Sequence, residues 1–165
     1  MKAAEKVLIL DRGNLELAYP RDWTVKPDPA GFMKLEDGGE DCLLEVSYMR
    51  LPPLSPDAPT VEGRLREVLP VQAPITLVDR GDLRLAWADY PYEADDTERG
   101  ERRKARGRWL IAENGRFQAL TTFYYWADDA ARFLPAWERI MATLRLGFGE
   151  QLKSPRDHWS LRDPE

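Results

Sequence analysis

Residues 108–126 constrain the fold more than any other part of the sequence, because they read as two apolar strands joined by a tight turn. Asn114-Gly115 is the pair favoured in a two-residue type I′ hairpin loop, and that loop places Ala112 opposite Phe117. Both faces of the hairpin then carry apolar residues: Leu110, Phe117, Ala119 and Phe123 on one, and Trp109, Ile111, Leu120, Tyr124 and Trp126 on the other. A strand that is apolar on both faces is covered on both faces. The hairpin therefore predicts a sheet between two covering layers.

Alternating apolar residues predict further antiparallel strands beside this hairpin. These strands pair across short turns: residues 7–10 with 15–19, 32–36 with 42–49, and 75–78 with 83–92. The last of these turns contains Arg80-Gly81-Asp82, a tripeptide that integrins read, and we interpret it as an ordinary hairpin turn. The segment at residues 93–108 is rich in charge, and we expect it to be a long loop that runs into the next strand.

Two amphipathic helices are predicted as the covering layers. The first is capped by Thr60. The second has an irregular lead-in at residues 130–134, carries Pro135 in its first turn and ends at Gly147. Each has an apolar stripe at helical spacing: Val61, Leu65, Val68 and Leu69 in the first, and Trp137, Ile140, Met141 and Leu144 in the second. The sequence thus predicts an α+β fold, a single-domain αβα sandwich with a central, mostly antiparallel sheet at residues 1–147, followed by a polar tail at 148–165.

Trp23 follows a turn that the sequence marks clearly. Pro20 ends the preceding strand because proline cannot donate a hydrogen bond within a sheet, and residues 19–22 fit a type I turn. A buried tryptophan removes roughly 150–250 Å² from water, which is enough to hold such a turn against the core. We therefore expect Trp23 to be a core anchor, and the alternative is an indole that faces a ligand.

Several of these features occur together in a particular order. A Tyr-Pro-x-x-Trp turn comes first, a helix follows the strand at 42–49, and antiparallel strands end in the aromatic run 123–126 before a helix that closes with Thr-Leu-Arg-Leu-Gly. In this order the chain resembles the PsbP-like superfamily. The resemblance implies the αβα sandwich of the photosystem subunit PsbP, the Ran-binding nuclear import factor and bacterial DcrB-like proteins. It implies no single shared catalytic site, so it assigns no role to any residue of this chain.

A bacterial branch of similar build offers an alternative. The segment LLEVSYMRLPPL, with Arg50 at the end of its strand, resembles a strand-and-arginine segment of the Eag chaperones of type VI secretion. Those chaperones bind hydrophobic helices of effector proteins. This second resemblance therefore implies a homodimer with an exposed apolar groove.

Charge and composition exclude several classes of function. The net charge of −5 argues against a nucleic-acid partner, which needs a basic face. No stretch approaches the ~20 apolar residues of a membrane span. The single cysteine, Cys42, allows no disulfide within the chain, so the sequence does not demand an oxidising compartment. We expect a cytoplasmic bacterial protein without a membrane span.

Patterns typical of catalysis or metal binding are sparse. Cys42 and His158 have no recognised nucleophile–base signature, and a single cysteine and a single histidine do not make a zinc site. The sequence contains no phosphate-binding loop. The acidic residues between 36 and 41 lack the ligand spacing of a calcium loop, so we interpret them as a solvated turn. We expect no enzyme activity, no metal and no cofactor.

Binding to another protein is the function that remains. The basic residues of the 93–108 segment suit an acidic protein surface or phosphates, and aromatic residues are enriched in interface hot spots. The candidate binding residues are Arg99, Arg102, Arg103, Lys104, Arg106, Trp87, Tyr90, Tyr92, Trp109, Tyr124 and Trp126. We predict a non-enzymatic protein-binding or adaptor domain with a protein partner, and a homodimer stays open. The alternatives are an Eag-like chaperone for type VI secretion effectors and a small-ligand-binding protein.

Overall fold

Ten β-strands and two α-helices form the part of the chain that the computed structural model describes, residues 4–53 and 55–147. In chain order they are β1 (Glu5–Leu10), β2 (Leu15–Pro20), β3 (Thr24–Pro27), β4 (Met33–Glu36), β5 (Cys42–Arg50), α1 (Val61–Val68), β6 (Thr76–Asp79), β7 (Arg84–Asp96), β8 (Glu101–Glu113), β9 (Phe117–Trp126), α2 (Ala130–Thr143) and β10 (Arg145–Leu146). No helix in this part of the chain is long and apolar enough to cross a membrane. The tail at 148–165, with His158, lies outside the described residues.

A large antiparallel sheet separates the two helices. Its strand order is β3-β4-β5-β9-β8-β7-β6, while β1, β2 and β10 form a separate three-stranded sheet. α2 packs against β2 and β9, and α1 packs against β7 and β8. The buried side chains form a large cluster that includes α2 and a small cluster around Leu65 of α1, on opposite faces of the large sheet. The predicted α+β sandwich on an antiparallel sheet is confirmed.

The β8–β9 hairpin confirms the two predicted faces but not the predicted register. Ala112 pairs with Ala119, two residues further along than expected. The loop residues are Gly115 and Arg116, and only Gly115 has a positive φ (88°), so the turn is not type I′. Asn114 stays outside the loop because its side chain accepts the amides of Arg116 and Phe117 at 3.0 and 2.8 Å. A shift of two residues preserves the pleat, so every side chain keeps its predicted face.

The prediction of a long loop at residues 93–108 is wrong. β7 and β8 are 13-residue strands that stay paired to their ends, with Glu93 opposite Lys104 and Asp95 opposite Arg102. Opposite charges on facing positions of an antiparallel pair attract each other, which favours the extended conformation for a segment of low strand propensity.

α2 begins earlier and ends earlier than its sequence pattern suggests. A 3₁₀ turn at Ala127–Asp129 leads into the helix, and Pro135 lies inside the helix on its exposed side, where water can satisfy the carbonyl that loses its partner. The helix ends at Thr143, so Gly147 is not its cap. The Gly147 amide instead donates to the Asn14 carbonyl at 2.9 Å.

Arg80, in the Arg-Gly-Asp turn between β6 and β7, closes the C-terminus of α2. Its guanidinium donates to the carbonyls of Met141 at 2.8 Å and Leu144 at 2.6 Å, and it also binds Asp82. A cation at this end of a helix satisfies exposed carbonyls and opposes the helix dipole. The hairpin-turn interpretation is confirmed, and its arginine is engaged within the molecule.

Two local predictions are confirmed and one is corrected. Trp23 is 4% exposed in the main core, as an anchor requires. The Thr60 side chain accepts the Gly63 amide at 3.1 Å and caps α1. The turn after β4, however, is not simply solvated, because Asp37 is 3% exposed and its carboxylate accepts the Asp41 amide at 2.8 Å. Asp37 therefore organises the turn, and the described residues contain no cluster of three groups able to hold a metal.

Candidate functional site

One face of the large sheet carries a row of aromatic side chains, and α1 packs at one end of that row, where Trp109 contacts its cluster. α1 packs over the sheet through a cluster made of Leu65, Ala86, Ala88 and Ile111. Further along β7, β8 and β9, the register places five of the predicted binding residues on the same face, and we call them the aromatic face: Tyr90, Tyr92, Trp109, Tyr124 and Trp126. The sheet thus brings together residues that are up to 36 positions apart in the sequence.

The rings of the aromatic face pack against one another. The ring centroids of Tyr90 and Tyr92 are 6.0 Å apart, and those of Tyr92 and Tyr124 are 6.2 Å apart and perpendicular. Tyr90 is buried, whereas Tyr92, Trp109, Tyr124 and Trp126 are half-buried. The buried Nε1–H of Trp109 has no hydrogen-bond partner among the described residues. The aromatic face is therefore a closely packed surface, part apolar and part polar.

Gly107 on β8 creates the space in which Tyr90 lies. A Cβ at position 107 would be 2.6 Å from Cζ of Tyr90 and 2.7 Å from its hydroxyl oxygen. Those distances are far shorter than any van der Waals contact, so only glycine lets this ring lie flat across the strand. The position and tilt of Tyr90, and through it of Tyr92, depend on Gly107.

Replacing Gly107 with alanine should displace Tyr90 and lower the free energy of unfolding by about 1–3 kcal/mol, the usual cost of overpacking. Urea denaturation measures this loss. In a Tyr90→Ala background the same change should cost nothing, because the clashing ring is gone. Equal losses in the two backgrounds would contradict the assigned role of Gly107.

Two buried tyrosines make the protein sensitive to alkali. Burial raises the pKa of Tyr90 to about 12, with a smaller contribution from neighbouring Tyr124. Burial also raises the pKa of Tyr125 to about 12, and the nearby Asp89 carboxylate adds to that effect. The folded protein therefore keeps both phenolic protons at a pH where the unfolded chain has released them.

We expect stability to fall between pH 10, where an exposed tyrosine titrates, and about pH 12, where the folded protein does. Over that range the unfolded chain binds fewer protons than the folded one, so rising pH favours unfolding. Thermal denaturation at a series of pH values measures this, and Tyr90→Phe should make the decline shallower. A stability that stays constant across this range would refute the expectation.

The predicted basic residues do not form an open basic surface. Arg103 is 8% exposed, lies 2.7 Å from both Asp96 and Asp128, and stacks on the Trp126 ring at 4.5 Å. The hydrogen bond that the Arg103 guanidinium donates to the Asp96 carboxylate lowers the pKa of Asp96. The remaining arginines of this group also have carboxylate partners: Arg99 with Asp96 and Glu101, Arg102 with Glu93 and Asp95, and Arg106 with Asp89.

Trp87 lies on the opposite face of the sheet, in a network that sequence reasoning missed. The Arg108 guanidinium is sandwiched between the rings of Trp87 and Trp137, 4.5 Å from each. Asp89 accepts hydrogen bonds from Arg108 and from the Tyr125 hydroxyl, both at 2.9 Å, and also from Arg106. A signal was present in the sequence, since a lone carboxylate in the apolar run LAWADY requires a buried partner.

A second candidate site is a cleft of about 720 Å³ beside α1. Residues of the segments 51–53 and 55–60, before α1, form one wall, and the ends of β5, β8 and β9 form another. Arg64 of α1 and Glu113 of β8 make an ion pair within it. Sequence reasoning missed this site because Arg64 and Glu113 are 49 positions apart and no local pattern pairs them.

Comparisons of sequence place the chain among known proteins. Residues 6–149 match the model of a family described as Alr1449. The chain is 30% identical over 152 residues to the uncharacterized protein alr1449 of Nostoc sp. strain PCC 7120, an alignment that covers 86% of this chain and 77% of the relative.

Comparisons of structure support the fold. The chain is similar to the solution structure of cyanobacterial PsbP (CyanoP) from Synechocystis sp. PCC 6803, with a TM-score of 0.58, 11% identity, and coverage of 88% of this chain and 94% of that one. It is also similar to a crystal structure from Bacteroides thetaiotaomicron VPI-5482, with a TM-score of 0.63, 17% identity and coverage of 88% of this chain; it spans about half, 49%, of that protein. The predicted PsbP-like fold is confirmed, and identities this low show the fold alone.

Proposed function

The chain belongs to the Alr1449 family and has the PsbP-like fold, and from that premise we propose that it is a non-enzymatic protein-binding domain. The observation that carries the proposal is the aromatic face: Trp109 packs against the α1 cluster, and Tyr92, Tyr124 and Trp126 lie beyond it on the same face of the sheet. Tyrosine and tryptophan are enriched in interface hot spots because they bury a large area at low conformational cost. A sheet face with half-buried Tyr92, Trp109, Tyr124 and Trp126 has that composition.

The charges around the aromatic face favour a basic partner segment. A cavity of about 130 Å³ at one end of this face is lined by Tyr92, Tyr124 and Trp126 together with Glu40 and Asp41. Aromatic rings attract cations through their faces, and carboxylates add to that attraction. The net charge of −5 also attracts a basic partner at longer range. The proposed occupant is therefore a segment of another protein that inserts a lysine or arginine side chain here.

The proposal leaves out the predicted arginines at residues 99–106, because their positive charges would repel the basic partner segment proposed here. Lys104 and Trp87 are likewise not part of the proposed surface. The homodimer, the Eag-like chaperone, the cytoplasmic and bacterial assignments and the 1–147 domain boundary stay predictions.

The test is an affinity capture from lysate of the source organism with the double variant Tyr92→Ala/Tyr124→Ala. The matched control is Val7→Ala/Ile9→Ala, which removes exposed apolar side chains from the small sheet. We expect a partner that wild type and control retain, that the double variant loses, and whose binding weakens as salt is raised. A partner that the double variant still binds, or binding that salt does not affect, would count against the proposal.

A further inference from the structure

The cleft beside α1 has the size of a ligand site and lies away from the aromatic face. Its volume of about 720 Å³ falls within the range of small-molecule pockets, roughly 300–1,000 Å³. None of the aromatic-face residues lines it. Its occupancy is therefore independent of the protein-binding function proposed above.

The walls of the cleft are mainly apolar. The apolar residues that line it include Met49, Leu51, Val61, Val68 and Ile111. Met49 and Val68 are 51% and 42% exposed, although both are large apolar side chains. Apolar surface left open to water inside a concavity favours an apolar guest.

The polar groups of the cleft converge on Glu113. Arg64 and Glu113 form an ion pair whose side chains are only 16% and 9% exposed. Arg84 adds a second guanidinium, with Nε 3.9 Å from the Glu113 carboxylate, and its side chain is 63% exposed. Two guanidinium groups thus share one carboxylate, which leaves hydrogen-bond donors for a further anion. Asp57 and Glu67 also line the cleft, and both are exposed.

We propose that this cleft binds an amphipathic carboxylate, with its apolar body against the walls and its head group on Arg84 and Arg64. A carboxylate matches the planar donor pair of a guanidinium, and neither a hydroxyl nor an ammonium head can accept that pair of hydrogen bonds. An apolar helix of a partner protein would match the walls but would leave the arginine donors without an anion.

Three probes built on ten-carbon chains separate the role of the head group from that of the walls: decanoate, decanol and decyltrimethylammonium. Titration calorimetry and amide NMR shifts on the folded chain should show decanoate binding about ten-fold more tightly than decanol, as expected for hydrogen bonds to a charged group. Decyltrimethylammonium should bind more weakly than decanol. The shifts should be largest at Val61, Arg84 and Ile111.

Arg84→Gln should lower decanoate affinity about ten-fold and leave decanol affinity unchanged, because the exposed Arg84 supports the head group and not the fold. The control is Arg66→Gln, on α1 but outside the cleft, where Arg66 pairs with Glu62. Val61→Trp should fill the cleft and weaken all three probes. The double variant Tyr92→Ala/Tyr124→Ala should bind decanoate as wild type does.

Equal binding of the three probes, preference for the ammonium, or no binding of any probe would overturn this proposal. Decanoate affinity that survives Arg84→Gln would overturn it as well. A partner helix that perturbs Val61 and Ile111, with no probe bound, would favour the chaperone instead. Because the Tyr92 and Tyr124 variant probes the aromatic face alone, failure there leaves the cleft proposal standing, and the reverse also holds.

Discussion

Replacing Asp89 with alanine should lower the free energy of unfolding by about 3–5 kcal/mol, the usual cost of removing one partner from a buried ion pair. Arg108 lies between the rings of Trp87 and Trp137 with its side chain 11% exposed, so it cannot reach water when its carboxylate is lost. The Tyr125 hydroxyl also loses its acceptor. Guanidinium chloride denaturation followed by tryptophan fluorescence measures the loss.

Asp95→Ala is the matched control for Asp89→Ala on the same strand. Asp95 also pairs with an arginine, Arg102, at 3.3 Å, but its side chain is 78% exposed. Exposed ion pairs contribute little, so this change should cost less than about 1 kcal/mol. Similar losses of unfolding free energy in the two variants would show that the burial of Asp89 does not determine how much its ion pairs stabilise the fold.

Replacing Leu65 with alanine should release α1 from the sheet at a cost of about 2–5 kcal/mol. Among the residues of α1, Leu65 is the buried one, at 0% exposure. A helix of 8 residues is marginal without packing, because the cost of nucleating it is not recovered over so short a length. Hydrogen exchange should show protection lost in α1 while β8 and β9 keep theirs.

Val68→Ala is the control for Leu65→Ala, because it removes an apolar side chain from the same helix at an exposed position. Val68 lies on the same helix and is 42% exposed, so it should change α1 protection little. Loss of protection in β8 and β9 together with α1 would mean that the helix and the sheet unfold as one unit. Decanoate binding should disappear with Leu65→Ala, because α1 forms a wall of the cleft.

The pairing of charged residues shows why sequence reasoning failed at residues 93–108. This segment, EADDTERGERRKARGR, has the composition of a solvated loop. Composition does not say which residue of one strand faces which residue of the next. In the folded chain Asp95 faces Arg102, and Arg103 meets Asp128 from beyond the end of β9. Low strand propensity is overridden by contacts whose partners are distant in the sequence.

Local sequence determined which side chains share a face. The alternation of side chains along β8 and β9 correctly placed Leu110 and Phe123 on one face and Trp109 and Tyr124 on the other. The predicted register was wrong by two residues, but this division stayed correct because the pleat repeats every two residues. The Thr60 cap was equally local, because a helix terminus is read from the residues beside it.

Tertiary structure alone decided the partners of the charged side chains and the two concave sites, and it contributed to the register. Asn114 is held outside the turn partly because its side chain donates to the Leu146 carbonyl at 3.1 Å, a contact across 32 positions. Arg64 meets Glu113 across 49 positions. Hydrophobic periodicity carries information about faces over a few residues, whereas ion pairs and clefts depend on distances set by the packed chain.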